Sequence, residues 1–174
     1  MTQQTILEDQ SIFKKYTRKI ERELNVKIEI KGNEIFVTGP GESEYVAIKI
    51  IEAFDLGFSY DYAILLKNEE NILQVINIKS LTHRKNLEEI RGRIIGTNGG
   101  TLRTVHGLTG CAISLKDNQV GIIGHAEDIE DAVQAIKSLI QGSKQGNIYA
   151  RLERHKKEKR IMGKVNIKDE FENQ

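Results

Sequence analysis

Cysteine is nearly absent from this sequence: Cys111 stands alone among 174 residues. No internal disulfide framework can hold the fold, and that usage fits a reducing compartment. Apolar runs are short as well, well below the roughly 20 residues that span a bilayer. The opening Met1-Thr2-Gln3-Gln4 lacks the charged-then-apolar build of a secretory signal. A cytoplasmic protein without membrane contact is therefore the expectation. His83, His106, His125 and His155 are scattered without ligand spacing, so neither a metal site nor a cofactor is expected. Asp55 with Asp61, or Glu88 with Glu89, could be paired on paper for acid–base work, but nothing places them in a cleft. Solvated carboxylates are the default for such pairs, and no enzyme and no catalytic residue are expected.

With hydrophobic residues at 39% and charged residues at 29%, the composition is that of an ordinary folded domain. The formal net charge is only +1, yet its distribution is uneven. Residues 38–75 carry −5, residues 76–103 carry +4 and residues 151–160 carry +4. One basic block surrounds a glycine-rich stretch; the other is RLERHKKEKR near the C-terminus. Their shared sign points to a polyanionic partner.

An internal repeat organises the chain. The segment Ile20–Gly57 aligns without a gap on Val105–Gly142, at an offset of 85 residues. Ile28 meets Ile113, Lys31 meets Lys116, Asn33 meets Asn118, Ala47 meets Ala132 and Ile51 meets Ile136. In each copy alternating apolar residues predict two strands: Val26, Ile28 and Ile30 then Ile35 and Val37, and Cys111, Ile113 and Leu115 then Val120 and Ile122. A helix follows, with Val46, Ile50, Ile51 and Phe54 on one face in the first copy and Ile129, Val133, Ile136, Leu139 and Ile140 in the second. Cys111 aligns with Val26 at an inward strand position and is expected to be a buried structural thiol. A basic amphipathic helix through Ile12, Phe13, Tyr16, Ile20 and Leu24 precedes the strands of the first copy. Short strands are predicted at Thr5–Leu7 and Leu73–Ile78, and between the copies Ser59 can cap a short helix through Tyr62–Leu66. The expected unit is strand, helix, helix, strand, strand, helix, occurring twice.

The stretch RGRIIGTNGGTLRTVHGLTG, Arg91–Gly110, falls between the first two helices of the second unit. Its glycines sit among Ile94, Ile95, Leu102, Val105 and Leu108, which keep helical spacing and so argue against a flexible linker. Neither G-x-x-x-x-G-K-[ST] nor G-x-G-x-x-G occurs, which excludes the two common nucleotide-phosphate loops. Helix, Gly-x-x-Gly, helix, then two strands and a helix is the order of a type I K-homology (KH) domain, whose loop clamps about four nucleotides. Gly96 and Gly99 would let a sugar-phosphate backbone come close, with Thr97 and Asn98 between them and Gly100 after. The start of the second helix attracts phosphate oxygens. Arg91, Arg93 and Arg103 supply positive field, Ile94, Ile95 and Ile113 are expected to line the floor, and Arg151, Arg154, Lys156 and Lys157 are expected to add contacts from the C-terminal block.

RGRIIGTNGGTLRTVHGLTG, followed by ISLKDNQVGIIG and YARLERHK, resembles the two-KH ribosome-assembly proteins called Partner of Nob-one, or Dim-two. GFSYDYAILL and ILQVINI are similar to that family too, so the resemblance covers about residues 6–157 and is closest to the compact archaeal form. It implies an α+β fold of two tandem type I KH domains, each with a three-stranded antiparallel sheet covered by helices. The boundaries read as a degenerate KH domain over 1–57, a structured connector over 58–71, a KH domain over 72–142, and a basic C-terminal helix and tail over 143–174. It also implies single-stranded RNA binding at the 3′ region of the small-subunit ribosomal RNA precursor. Candidate partners are the endonuclease that trims that end and the alpha subunit of initiation factor two; a monomer is expected. At the offset of 85, the first unit has Ser11-Ile12-Phe13-Lys14 where the loop should be, with no glycine. Ile12 and Phe13 are expected in its core, and this unit is not expected to clamp RNA. A reading of a different class stays open: a protein-interaction scaffold that docks a nuclease or translation factor, with RNA contact secondary.

Overall fold

The computed structural model describes residues 2–172, with side chains to Gly163. The first unit runs β1 (Thr2–Ile6), α1 (Ser11–Leu24), β2 (Lys27–Lys31), β3 (Glu34–Thr38) and α2 (Gly41–Asp55). Its antiparallel sheet has the order β1-β3-β2. A connector follows, with α3 (Tyr60–Ala63) running into a 3-10 turn over Ile64–Lys67. The second unit consists of β4 (Asn71–Asn77), α4 (Ile78–Leu81), α5 (Leu87–Ile95), a 3-10 turn at Thr97–Gly99, α6 (Gly100–Thr109), β5 (Ala112–Lys116), β6 (Gln119–His125) and α7 (Ile129–Gln141). Its antiparallel sheet has the order β4-β6-β5. Last comes α8 (Gln145–Glu172); Asn173 and Gln174 of the expected tail lie outside the described residues. Among the described residues no helix is long and apolar enough to cross a membrane.

The offset of 85 holds in space, since Lys27–Lys31 and Ala112–Lys116 are both second strands of their sheets. It fails upstream. The first unit has one helix, not two, between its first two strands, because only Leu7–Gln10 joins β1 to α1. In the second unit the interval between β4 and α6 runs from Ile78 to Gly99 and holds both α4 and α5. At 1.5 Å of rise per residue, four residues cannot supply a second helix and its turns. Those four are also pinned. Leu7 is fully buried and donates its N–H to the Asn33 carbonyl at 3.1 Å, while Gln10 Nε2 donates to the Gly32 carbonyl at 2.8 Å.

Two further expectations change. Phe13 is fully buried, edge-on to Phe54 with ring centroids 5.4 Å apart, but Ile12 is 53% exposed. Neighbours on a helix point about 100° apart, and with Phe13, Ile20 and Leu24 turned to the core Ile12 falls outside the buried stripe. Ser59 precedes α3, but its side chain makes no cap bond; its carbonyl receives the Tyr62 and Ala63 N–H groups.

Each sheet turns one face to its helices, but the second sheet is covered on both. Val120 and Ile122 of β6 enter the core formed with α5, α6 and α7. On the opposite face Ile123, with Ala112 of β5, joins the core of the first unit, beside Leu56, Phe58 and Ala63. Polar contacts fix the same seam: Ser114 Oγ donates to the Leu56 carbonyl at 2.7 Å, and Lys116 pairs with Asp55 at 3.3 Å. Cys111 is fully buried, its counterpart in the repeat, Val26, is buried too, and burial pushes the thiol up from the ordinary value.

Gly121 lies at the seam between the two cores. A Cβ there would stand 2.7 Å from Phe58 Cε2 and 3.1 Å from Leu56 Cδ1. Gly121→Val should therefore overpack the seam and cost about 1–3 kcal/mol, read as a lower urea midpoint. An unchanged midpoint would show that the seam yields freely.

Candidate nucleic-acid interface

Helix α5 starts at Asn86, whose side chain accepts the Glu89 N–H at 3.1 Å, and stops at Gly96 with φ 74 and ψ 173. A Cβ at Gly96 would fall 2.6 Å from the Thr101 backbone nitrogen and closer still to Thr101 Oγ1. The position therefore admits only glycine. Asn98 (φ 52) and Gly99 (φ 73) complete the turn in left-handed conformations, and the chain then enters α6. The result is a tight turn with Thr97 and Asn98 exposed at its tip, beside a helix start that favours anions.

Side chains brace this turn from two directions. Arg103 Nη1 donates to the Asn98 carbonyl at 2.6 Å. From the other side Gln145, the first residue of α8, donates through Nε2 to Thr101 Oγ1 at 2.9 Å and to the Arg93 carbonyl at 3.4 Å. Between α5, α6 and α8 an open cleft of about 660 Å³ is lined by Gly92, Gly96, Gly100, Thr101, Gln145 and Tyr149, among others. Neither Gln145 nor Tyr149 was expected at the site. No local pattern marks them, because their position depends on how α8 docks.

The structure separates the remaining candidates. Ile94 is fully buried in the second core and cannot form a floor for bases; Ile95, 39% exposed, and the half-buried Ile113 are the apolar residues at the surface. Arg91 reaches from α5 to the β5–β6 turn, where its Nη1 donates to Asn118 Oδ1 at 2.8 Å. Arg93 does not face outward as free charge. Its Nη1 donates to the Leu139 carbonyl at 3.1 Å and its Nη2 to the Ser143 carbonyl at 2.6 Å, and Arg84 lies against nearby Gly142. The carbonyl-rich end of α7 holds Arg93, as a helix C-terminus holds a cation.

The C-terminal block is not a separable tail. Ile148 and Leu152 are buried in the second core, so α8 is packed against α6 and α7. Lys156 Nζ donates to the Gly107 carbonyl at 2.9 Å, and Lys159 contacts Asp128 at 2.8 Å and Asp131 at 3.1 Å. Burial works against the charge of Asp131, but hydrogen bonds with His155 and Lys159 outweigh it and hold the carboxyl below its ordinary value. Arg151 is half-buried, and its Nη2 is enclosed without a partner among the described residues. Arg154 and Lys157 remain exposed.

A family model for the eukaryotic type KH-domain (KH-domain type I) matches residues 72–157. A KH domain-containing protein of Methanocaldococcus jannaschii is 31% identical over 146 residues, which cover 80% of this chain and 64% of that protein. The pre-rRNA-processing protein PNO1 of Saccharomyces cerevisiae is 33% identical over 141 residues, covering 77% of this chain and 51% of that protein. The chain thus spans between about half and just under two thirds of the length of these relatives. Among solved structures, a chain of the a/eIF2alpha–aDim2p–rRNA complex from Pyrococcus horikoshii matches with a TM-score of 0.82 and 30% identity, covering 91% of this chain and 95% of that one.

The steric reading of the loop is open to a direct check. Gly96→Ala should lower stability by about 1–3 kcal/mol, through a positive φ and the clash with Thr101. Gly100→Ala, in open space at φ −61, should be neutral or stabilising by up to about 1 kcal/mol. Equal melting temperatures for the two variants would refute the assignment.

Proposed function

This chain belongs to the PNO1/Dim2 family of KH-domain proteins, and from that premise we propose that it binds single-stranded RNA as a non-catalytic assembly factor of the small ribosomal subunit. The RNA would be the 3′ region of the ribosomal RNA precursor. The alpha subunit of initiation factor two and the endonuclease that trims that end are its candidate protein partners. The names of its relatives support this reading: one processes pre-rRNA, and another is found in a complex with rRNA and a/eIF2alpha. In the same reading, residues 1–57 form a degenerate KH unit, 58–71 a connector, 72–142 the RNA-binding KH unit, and 143–174 a helix that extends it.

One observation carries the proposal. The Gly96–Gly99 turn holds Thr97 and Asn98 out at the mouth of α6, with the exposed Ile95 just before it and no side chain on Gly96 or Gly99 to block a phosphate. Backbone groups of the turn would position the phosphates, and the surface around Ile95 and Ile113 would meet the bases. The loop itself is uncharged, so the exposed Arg154 and Lys157 supply free positive charge in this reading, and Arg103, exposed but bonded to the Asn98 carbonyl, adds its charge at the loop.

Thr97→Asp combined with Asn98→Asp should weaken binding of a short single-stranded RNA more than tenfold and leave the melting temperature unchanged, since both residues are exposed. Full affinity in the folded variant would remove the loop from the site and favour the protein scaffold. Arg154→Gln with Lys157→Gln should flatten the slope of log affinity against log salt by roughly one unit, at about 0.7 for each phosphate no longer neutralised. Sequence preference should not change. An untouched slope would assign α8 to packing alone.

A further inference from the structure

Helix α1 carries a uniformly positive face that the first unit does not use internally. At 3.6 residues per turn, Lys14, Lys15, Arg18, Lys19 and Arg22 occupy a sector of about 140°, opposite the buried Phe13, Ile20 and Leu24. All five cations lie at the surface. The helix has just two acids, and both are engaged elsewhere: Glu21 Oε1 accepts the Ile28 N–H at 2.9 Å, and Glu23 pairs with Lys67 at 2.8 Å. Lys19 lies 4.3 Å from the centroid of the Tyr60 ring. Lys14, Lys15 and Arg18 have no side-chain partner among the described residues.

Among the described residues only Lys19, over Tyr60, and Arg22, whose Nε donates to the Arg18 carbonyl at 3.4 Å, gain a contact from this arrangement. Lys14 and Arg18, Lys15 and Lys19, and Arg18 and Arg22 are like charges one turn apart, which destabilise a helix. The internal repeat adds a functional contrast. At the offset of 85, Lys14 and Lys15 stand where the second unit has Gly99 and Gly100, and Arg18 stands where it has Arg103. In the second unit Arg103 is tied to the Asn98 carbonyl of the loop. The first unit has no such loop, so the guanidinium of Arg18 stays free.

We propose that this face of α1 is a second RNA contact, taking the phosphate backbone of a double-stranded segment outside the clamp. The proposal rests on the RNA-binding reading of the second unit. Lys14, Arg18 and Arg22 form a row about 12 Å long at 1.5 Å per residue, suited to phosphates and without means to read bases. Apart from Ile12 at its start, the face offers no apolar side chain, whereas protein interfaces are built on an apolar, charge-depleted centre. Double-stranded RNA is recognised by shape and phosphate contact, which lysine and arginine side chains supply.

The test uses the full chain, an RNA duplex of about 20 base pairs and a short single-stranded RNA. Lys14→Gln, Lys15→Gln and Arg18→Gln together should weaken duplex binding at least tenfold and flatten its salt slope by about two to three units. Binding of the single strand should stay within twofold. The charge-conserving variant with Lys14→Arg, Lys15→Arg and Arg18→Lys should keep duplex affinity. The Thr97→Asp, Asn98→Asp variant should show the reverse pattern, losing the single strand and keeping the duplex. Duplex affinity that is absent from the wild type, or unaltered by the glutamines, overturns the α1 contact and leaves the clamp standing. Single-strand affinity that survives the aspartates overturns the clamp and leaves α1 standing. Poly-glutamate that competes as well as RNA at matched charge overturns the choice of nucleic acid in favour of an acidic protein.

Discussion

Strand β6 is buried on both faces, and the rest of the molecule is arranged around it. Val120 and Ile122 enter one core and Ile123 enters the other, so a single strand supplies side chains to both units. A sheet that turns one face to water reads as alternating apolar and polar residues; here VGIIG is buried throughout. Gly121 is the concession the geometry demands, because Phe58 and Leu56 stand where its side chain would be. Fully burying Ile122 and Ile123 contributes about 1.5–3 kcal/mol each; Ile122 finds its core within the second unit, but the share of Ile123 is available only when the first unit is in place. The pairing of Lys116 with Asp55 adds little by itself, since both side chains are about a third exposed.

The shape of the Gly96–Gly99 turn depends on elements far away in the chain. Thr101 fills the space a side chain at Gly96 would need, and Gln145 holds Thr101 from the start of α8. Arg93 ties the end of α5 to the end of α7 through the Leu139 and Ser143 carbonyls. These bonds hold the loop in one conformation before anything binds, which lowers the ordering cost of association. They also divide the basic residues into two populations. Arg93, Lys156 and Lys159 serve the fold, while Arg154, Lys157 and the α1 cations face solvent.

Much of this was legible in the residues. Alternation in Val26–Ile30 and Cys111–Leu115, the glycine turn and the 85-residue offset all persist in the structure, because they follow from local geometry and from one repeated pattern. Ile94 and Ile95 show where that legibility stops. Adjacent isoleucines point about 100° apart, and which of them faces the core is set by how the helix packs: one is fully buried and the other 39% exposed. Arg93 is similar: its carbonyl partners lie 46 and 50 residues away, and no local pattern separates a cation that caps a distant helix from one that waits for phosphate. The missing helix of the first unit was readable in principle, since four residues between β1 and α1 leave no room for it.

The shared seam has a consequence for the order in which the protein can be made. Chains emerge from the ribosome N-terminus first, at about 5–20 residues per second. The first unit is complete in sequence at Gly57, but Ala112 and Ile123, which close its core, are made only much later. Until they arrive, Leu56, Phe58 and Ala63 have no sheet to cover them, and a nascent first unit exposes an apolar face. The two halves are thereby linked in time: β1–β3 with α1 and α2 supply most of the first core by themselves, and only its seam waits for β5 and β6.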